Sequence, residues 1–325
     1  MTVREQIQVT GIRRSGSPGN GFRYRRARGG AISTAERRHI AGLAIPPRWT
    51  DVSIARSPAS AVQAVGRDAA GRWQYLYRSS HAARRSRDKF DRIVVFAEAL
   101  PALRRAVARD LRLAGLPRDK ALACAVAIMA ACFVRAGSEE HAAEDGGFGL
   151  ATLRHRHVTV TGDRIRFDYR GKRGLRQRHE IRTRRLARII AAMLRLPGVE
   201  VFKYRGGGGR IRDVSRRQVN RYIKRAMGRR FSARDFRTWA GTLICAGALA
   251  RRRGVAQAIR ETAAFLGNTE EVCRSSYVHP AVLRAFLRGK VVTHALDRPR
   301  PSTVHRGTRL DRSERALLGL LKDRG

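Results

Sequence analysis

Two long apolar segments, separated by a short polar break, restrict the fold of this 325-residue chain more than any other feature. Their apolar residues recur at spacings of three and four, which predicts two buried or half-buried helices. The segments are IVVFAEALPALRRAVARDLRLAGL (93–116) and RDKALACAVAIMAACFVRAG (118–137). Later segments repeat the pattern, namely RTRRLARIIAAMLRL, SRRQVNRYIKRAM and RTWAGTLICAGALARRR. We therefore expect a mainly α-helical domain over residues 88–292.

The first 85 residues have a different pattern, in which turn-rich and strand-like segments alternate. In AVQAVGRDAAGRWQYLYR (61–78), the turn residues DAAG separate two strand-compatible runs and predict a β-hairpin. Ser33 followed by Glu36 has the spacing of a capping box and predicts the start of a short helix. The sequence thus indicates a small β-rich N-terminal domain over residues 1–85.

Residues 157–181 interrupt the helical pattern with a β-like one. β-branched and aromatic residues alternate there with polar residues, and the motifs TGD and GKRG have the composition of turns. This pattern predicts a three-stranded meander inside the helical domain. The expected fold class is therefore α+β.

Two further segments complete the organisation of the chain. The four glycines of KYRGGGGRIRD (203–213) are interpreted as a flexible loop that connects two helices. Residues 293–325 are expected to form a polar C-terminal tail. Asp311 and Glu314 stand at capping-box spacing ahead of an apolar run, so we predict one helix in this tail.

The charge of the chain points to a polyanionic partner. Lysine and arginine together number 69 against 26 acidic residues, which gives a formal net charge of +43. Such an excess disfavours compaction unless a polyanion neutralises it, so nucleic acid is the expected partner. A membrane partner is not expected, because the sequence has no run of 18 apolar residues and the basic residues are spread along the whole chain.

Several classes of cofactor are not expected. The chain has neither a G-x-x-x-x-G-K-[ST] loop nor a strand followed by G-x-G-x-x-G, so we expect no nucleotide cofactor. His155 and His157 lack acidic or cysteine partners at ligand spacing, and the four cysteines include no C-x-x-C pair, so we expect no metal. The N-terminus lacks an apolar signal core, which favours a reducing cytoplasmic location.

Four separated residues have the chemistry needed to cut a phosphodiester with side chains alone. Such a site requires a nucleophile, permanent positive charge around the non-bridging oxygens and a proton donor for the leaving hydroxyl. Tyr277, Arg135, Arg237 and Lys172 supply these groups. Each also has a plain structural alternative. Tyr277 could be a core tyrosine and Arg135 a helix-end cation. Arg237 could be an ion-pair partner of Asp235 or Glu271, and Lys172 could be a solvated turn residue.

The order and surroundings of these residues resemble the type IB DNA topoisomerases of the poxvirus and bacterial kind. The matching motifs run over roughly residues 20–290 and are GRWQYLY, FVRAG, GLATLRHRHV, FDYRGKRG, ARDFRTWAGT and FLGNTEEVCRSSYVHP. The resemblance implies that the N-terminal and catalytic domains close around duplex DNA as a clamp. It also implies relaxation of supercoils through transient cleavage of one strand, without ATP or an obligatory metal, by a monomer associated with the nucleoid.

The resemblance assigns a role to each residue of the site. Tyr277 would form a 3′-phosphotyrosyl bond, Arg135 and Arg237 would stabilise the pentacoordinate phosphate, and Lys172 would protonate the leaving 5′-oxygen. Asn268 stands where the poxvirus enzymes have histidine. An asparagine amide can donate a hydrogen bond to a phosphate oxygen but cannot carry a proton, so its implied role is oxyanion stabilisation.

Other residues match segments that the family uses for DNA contacts. Gln74, Tyr75 and Tyr77 lie on the second strand of the predicted hairpin, although the two tyrosines could instead pack the small core. Arg84 and Arg85, in ARRSR (83–87), would hold phosphates at the hinge between the domains or would belong to a solvated linker.

Two other functions compete with the topoisomerase interpretation. Tyrosine recombinases use the same phosphotyrosyl chemistry but typically have H-x-x-R around the second arginine. In this chain the histidine position is Arg234, a basic residue of the kind that the topoisomerases carry there, and we count it as a candidate DNA contact. The high charge alone would also fit a non-catalytic nucleoid-binding protein, but such a protein has no need of the four reactive residues.

Overall fold

A computed structural model describes most of the chain, namely residues 1–137, 146–251, 254–292 and 308–323, without the side chains of residues 79–87 and Arg173. The chain divides into two compact units, Met1–Lys89 and Phe90–Gly325. The domain limits expected from the sequence, 1–85, 88–292 and 293–325, stay predictions.

The first unit is built on a five-stranded antiparallel sheet, in which the first strand pairs with the second and the third, and the fourth and fifth strands follow in order. Its core contains Ile12, Ile54 and Ala64, all fully buried. This unit confirms the β-rich N-terminal region, to which the structure adds an N-terminal helix that the sequence pattern did not predict. Its elements are α1 (Val3–Thr10), β1 (Ile12–Ser17), β2 (Gly21–Arg26), α2 (Thr34–Ala41), β3 (Thr50–Ile54), β4 (Val62–Arg67) and β5 (Trp73–Tyr77).

Both local predictions for the first unit are confirmed. The Ser33 hydroxyl accepts a hydrogen bond from the backbone N–H of Glu36, and the Glu36 carboxylate accepts one from the backbone N–H of Ser33, which is the capping box of α2. In the β4–β5 turn, the N–H of Asp68 donates a hydrogen bond to the carbonyl of Arg72 at 3.0 Å. In the same turn, the N–H of Gly71 donates a hydrogen bond to the carbonyl of Asp68 at 2.9 Å.

The second unit is mainly helical, as expected. In its described residues, as in those of the first unit, no helix has both the length and the apolar character needed to cross a membrane. Residues 121–132 of its second helix are all buried, so this helix lies in the centre of the core. The helices are α3 (Ser79–Asp110, which begins in the first unit), α4 (Arg118–Cys132), α5 (Arg184–Leu194), α6 (Arg216–Met227), α7 (Ala233–Ala250), α8 (Val255–Leu266), α9 (Glu270–Ser276), α10 (Pro280–Leu287) and α11 (Arg312–Lys322).

The predicted three-stranded meander is confirmed as an antiparallel sheet whose strands pair in chain order. Ile165, Phe167 and Tyr169 of its central strand are buried, whereas the residues between them are exposed, so one face of the sheet covers the helical core. A short 3₁₀ turn, Lys172–Gly174, joins its second and third strands. The strands are β6 (Val158–Thr161), β7 (Arg164–Arg170) and β8 (Arg176–Arg182).

The interpretation of the four glycines as a flexible connector was wrong. The segment is a short β-hairpin of β9 (Lys203–Arg205) and β10 (Ile211–Asp213). The glycines form its turn, in which the N–H of Gly206 donates a hydrogen bond to the carbonyl of Arg210 at 2.8 Å. Gly208 has a φ of 65°, in the left-handed region that glycine adopts without strain, so the glycines allow a tight turn.

The predicted C-terminal helix is present as α11, and the Asp311 side chain caps it with Glu314 at the expected spacing. The Glu314 carboxylate also forms a fully buried ion pair with Arg104 of α3, with nitrogen–oxygen distances of 2.6 and 2.9 Å. Leu317, one turn further along, has no exposed surface. The helix of the tail is therefore part of the core of the second unit.

Candidate active site

An open cleft of about 400 Å³ in the second unit has a lining rich in arginine. The structure places four of the five predicted catalytic residues on its wall, and Asn268 contacts one of them. Two further basic residues, Arg216 and Arg234, also line it. The functional side chains on the wall are Arg135, Lys172, Arg216, Arg234, Arg237 and Tyr277.

Arg237 lies on the second turn of α7 and is only 4% exposed. Its guanidinium donates to the carbonyl oxygens of Phe133 at 2.7 Å and Leu266 at 2.6 Å, so it links the ends of α4 and α8. The structural alternative, an ion pair of Arg237 with Asp235 or Glu271, is not found among the described residues. Asp235 caps α7 and pairs with Arg92 of α3 at 3.0 Å. The charge of the buried guanidinium is thus not neutralised by this carboxylate.

Arg135 enters the cleft because α4 ends abruptly. Phe133, the residue after the helix, has a φ of 53°, in the left-handed region that bulky residues rarely adopt. The hydrogen bond from Arg237 to the Phe133 carbonyl supports this conformation. Arg135, two residues on, donates through Nη2 to the carbonyl of Gly267 at 3.3 Å and to Oδ1 of Asn268.

Asn268 follows Gly267, which ends α8 in the left-handed conformation with a φ of 60°. Its Oδ1 atom accepts the hydrogen bond from Arg135. Its Nδ2 atom is buried and has no hydrogen-bond partner among the residues that the structure describes. A buried donor without a partner costs free energy, and a bound anionic oxygen would remove that cost.

Tyr277 is held by its backbone at the end of α9. Its N–H donates to the carbonyl of Cys273 at 2.9 Å, and its own carbonyl accepts from Oγ1 of Thr242 at 3.2 Å. A Cβ atom on Gly241 of α7 would lie 2.7 Å from that carbonyl oxygen, so only glycine permits this close approach. The half-buried phenol lies under Arg237, with 5.2 Å from the guanidinium carbon to the ring centroid.

The charges of the cleft set the protonation of its groups. Burial alone raises the pKa of Tyr277, but the charge of Arg237, a hydrogen bond with it and the charges of Arg135 and Arg234 outweigh burial, so this pKa lies below its usual range. Burial and the neighbouring charge of Arg135 lower the pKa of Arg237 to about 10. The cleft therefore stabilises the phenolate, the nucleophilic form of tyrosine, relative to a tyrosine in water.

Lys172 is exposed on the 3₁₀ turn between β7 and β8, at the wall of the cleft. Gly171 and Gly174 stand on either side of the two basic residues of this turn, and Gly174 has a φ of 71°. The N–H of Gly171 donates a hydrogen bond to the carbonyl of Leu175 at 2.8 Å, which closes the turn. An exposed amine on a short turn can reach a bound ligand without a large desolvation penalty.

The candidate DNA contacts of the first unit lie on its edge strand, β5. Tyr75 and Tyr77 are 40% and 36% exposed, with ring centroids 6.5 Å apart, so the alternative that they pack the small core is wrong. Gln74 donates from Nε2 to the Asp68 carboxylate at 2.8 Å. The side chains of Arg84 and Arg85 lie outside the described part of the structure.

Sequence reasoning missed two residues of the cleft, Arg216 and Asn220, four positions apart on α6. Oδ1 of Asn220 accepts from the N–H of Ala233 at 3.0 Å, which ties α6 to the first residue of α7. Arg216 and the exposed Arg234 add positive charge at the rim. Their spacing on one helix face was the available signal, but an arginine-rich sequence offers many such pairs.

The histidines and cysteines considered as metal ligands have structural surroundings. Nε2 of His155 lies 3.0 Å from the buried amine of Lys203, and Nδ1 of His157 accepts from the N–H of Arg154. All four cysteines are free and buried. Within the described ranges, no three His, Cys, Asp or Glu side chains are grouped so that they could hold a metal ion.

Comparison with known proteins gives consistent matches over both units. The family profile "Eukaryotic DNA topoisomerase I, catalytic core" matches residues 78–280, and "Bacterial DNA topoisomerase IB, N-terminal domain" matches residues 21–68. DNA topoisomerase 1B of Acanthamoeba polyphaga mimivirus is 30% identical over 303 residues, which cover 88% of this chain and 90% of the viral protein. DNA topoisomerase 1B of vaccinia virus (strain Copenhagen) is 24% identical over 234 residues, which cover 67% of this chain and 70% of that protein.

The α+β fold, the basic cleft and these relatives together define a DNA-binding isomerase. Within that class, the chain belongs to the type IB DNA topoisomerase family. The resemblance noted in the sequence motifs is thereby confirmed at the level of the family. The N-terminal match, over residues 21–68, is to the bacterial branch of the family.

Proposed function

We propose that this chain relaxes supercoiled duplex DNA through a transient 3′-phosphotyrosyl bond on Tyr277. The observation that carries the proposal is the position of the Tyr277 ring 5.2 Å from the Arg237 guanidinium carbon, in a cleft that lowers the pKa of the phenol. A core tyrosine has no need of this environment. A nucleophile gains from it because phenolate forms more readily beside fixed positive charge.

In the proposed cleavage step, the phenolic oxygen of Tyr277 attacks the phosphorus after losing its proton to solvent. The bond from phosphorus to the 5′-oxygen breaks, and its electron pair stays on that oxygen, which takes a proton from Lys172. Arg135, Arg237 and the free Nδ2 donor of Asn268 stabilise the charge on the non-bridging oxygens. Religation is the reverse reaction, with the 5′-hydroxyl as the nucleophile.

This chemistry requires neither ATP nor an obligatory metal. Exchange of one phosphodiester for another conserves the bond energy, so the nick can be resealed without an external energy source. Arginine presents a planar fork to phosphate oxygens and stays charged at neutral pH, even at Arg237, whose pKa is lowered to about 10. Both properties support the electrostatic role of Arg135 and Arg237. Torsional strain in the DNA drives rotation about the uncut strand while the covalent bond persists.

Both units are proposed to contact the double-stranded substrate. The exposed tyrosines of β5 offer rings and hydroxyl groups, and Arg234 at the rim of the cleft offers a phosphate contact. Phosphate contacts by Arg84 and Arg85 are also expected. We propose that the enzyme acts as a monomer, since all the catalytic groups come from one chain, and that it works in the nucleoid of the cytoplasm.

The decisive experiment is relaxation of a supercoiled plasmid in the presence of EDTA and without ATP. Wild-type protein should relax the plasmid, whereas Tyr277→Phe should show no relaxation and no covalent adduct. DNA affinity should stay nearly unchanged, because one hydroxyl contributes little among many phosphate contacts. Tyr24→Phe in the first unit is the matched control and should retain activity. Adduct formation by Tyr277→Phe at the wild-type level would refute the proposal.

A further inference from the structure

One side chain lies between the two turns that carry Lys172 and Asn268. A Cβ atom placed on Gly171 would lie 2.9 Å from Cγ of Gln177, and one placed on Gly267 would lie 2.6 Å from its Nε2. Gln177 therefore occupies the space that side chains at both glycines would need. Because Gly171 directly precedes Lys172 and Gly267 directly precedes Asn268, the glutamine touches both turns of the site.

The backbone of Gln177 is a firm base for such a contact. It is paired with Tyr169 in the β7–β8 ladder, and Tyr169 is only 5% exposed in the core of the second unit. By contrast, Lys172 is exposed and its turn contains two glycines, so the turn itself restrains the amine weakly. The contact with Gln177 is thus a restraint on the Lys172 turn that comes from the core.

The contact depends on packing more than on hydrogen bonding. Nε2 of Gln177 lies 3.4 Å from the carbonyl oxygen of Arg176, at the long end of hydrogen-bond distances. The Gly267 turn on the other side is fixed by the bond from Arg135 to its carbonyl and by its left-handed conformation. A side chain of similar length and volume should therefore preserve the contact, whereas a short one should lose it.

We propose that Gln177 is a positioning residue that holds the Lys172 turn at a fixed place relative to Arg135 and Asn268. This inference rests on the proposed function, in which Lys172 donates the proton to the leaving oxygen. Loss of the glutamine side chain lets the turn shift, and Lys172 then meets the 5′-oxygen in the wrong place. The phosphate contacts of Arg135 and Asn268 stay intact, so the defect is confined to proton donation.

Single-turnover cleavage of two DNA substrates tests this assignment. One substrate carries the natural 5′-oxygen at the scissile bond, and the other carries 5′-sulfur, a leaving group that departs as thiolate and needs no proton. Gln177→Ala should slow cleavage of the oxygen substrate by up to ~10²-fold, the scale of a misplaced reacting group. Its defect on the sulfur substrate should largely disappear. Gln177→Met, which keeps length and volume, should cleave both substrates at nearly the wild-type rate.

Two further variants make each outcome decisive. Gln257→Ala, a matched glutamine on α8 away from the cleft, should behave like wild type. Lys172→Ala reports on the proposed function itself. Suppose that Lys172→Ala cleaves the sulfur substrate at nearly the wild-type rate. If Gln177→Ala is then equally slow on both substrates, or is not slow on the oxygen substrate, the positioning role of Gln177 is wrong, while Lys172 remains the proton donor. If Lys172→Ala stays defective on sulfur, the proton-donor assignment fails and the inference fails with it.

Discussion

At the scale of single residues, Arg237 determines most of the character of the cleft. It is buried, it bonds the ends of two helices through carbonyl oxygens, and it lies over the ring of Tyr277. Carbonyl oxygens are neutral partners, so they leave the positive charge of Arg237 uncompensated. A salt bridge to Asp235 would have neutralised that charge. A helical arginine that is buried without a carboxylate partner is costly for stability, so its position is best explained by an anionic ligand.

The different roles of Lys172 and Arg135 can be separated by the leaving group. Lys172→Ala should lose ~10² to 10⁴ in cleavage rate on natural DNA, the usual contribution of a general acid. On the 5′-sulfur substrate most of this loss should vanish, because the thiol conjugate acid has a pKa near ~8.5 and the thiolate leaves unaided. Arg135→Ala should stay defective on both substrates, since stabilisation of the non-bridging oxygens is needed in either case.

The measurement is the single-turnover cleavage rate with each substrate at saturating enzyme. A Lys172→Ala defect of equal size on oxygen and sulfur would show that the lysine acts electrostatically and not as an acid. Recovery of Arg135→Ala on sulfur would remove the proposed distinction between the two cations.

The catalytic candidates could be predicted from sequence because each stands in a distinctive motif. Gln177 and Asn220 could not be. Gln177 meets Gly267 only because a strand of the meander packs beside the end of α8, and no local pattern encodes that contact. Asn220 is polar on a helix face like many other residues, and only the fold brings it to the start of α7.

At the scale of elements, the C-terminal helix α11 is tied to α3 by the Arg104–Glu314 pair, whose side chains are 1% and 2% exposed. Removing one partner leaves an unpaired buried charge, so Glu314→Ala should destabilise the second unit by ~3 to 5 kcal/mol. Urea unfolding followed by circular dichroism measures this change. Glu270→Ala, which removes a 55% exposed carboxylate from α9, is the control and should have little effect.

A loss of stability for Glu314→Ala no larger than that of the control would mean that α11 is not an integral part of the core. The double variant Arg104→Met with Glu314→Leu should be more stable than Arg104→Met alone or Glu314→Leu alone, because it removes both charges and fills the space with apolar atoms.

Elements with a strong periodic pattern were predicted well, and those that depend on glycine or on termini were not. The meander and the capping box of α2 followed from alternation and spacing. The β9–β10 hairpin was missed because four glycines suggest flexibility, whereas two of them, Gly208 and Gly209, supply the positive φ angles of a tight turn. The helix α1 was not predicted, and only one of its eight side chains, Ile7, is buried.

At the scale of the whole molecule, the net charge of +43 predicts that DNA binding is dominated by counterion release. If the protein contacts ~6 to 10 phosphates, its affinity should fall by ~10³ to 10⁵ between about 50 and 200 mM salt. Fluorescence anisotropy with a labelled duplex measures the slope. A flat response would mean that contacts other than phosphate charge dominate binding.

In the proposed mechanism, Tyr277 becomes linked to the 3′ end of a broken strand. Wild-type protein is incubated with a duplex nicked so that the short leaving strand diffuses away, which traps the covalent complex. Proteolysis and tandem mass spectrometry then locate the nucleotide on the chain. We expect a single modified peptide that contains Tyr277, joined through the 3′-phosphate of the DNA. A nucleotide on any other residue, or a linkage through the 5′ end, would contradict it.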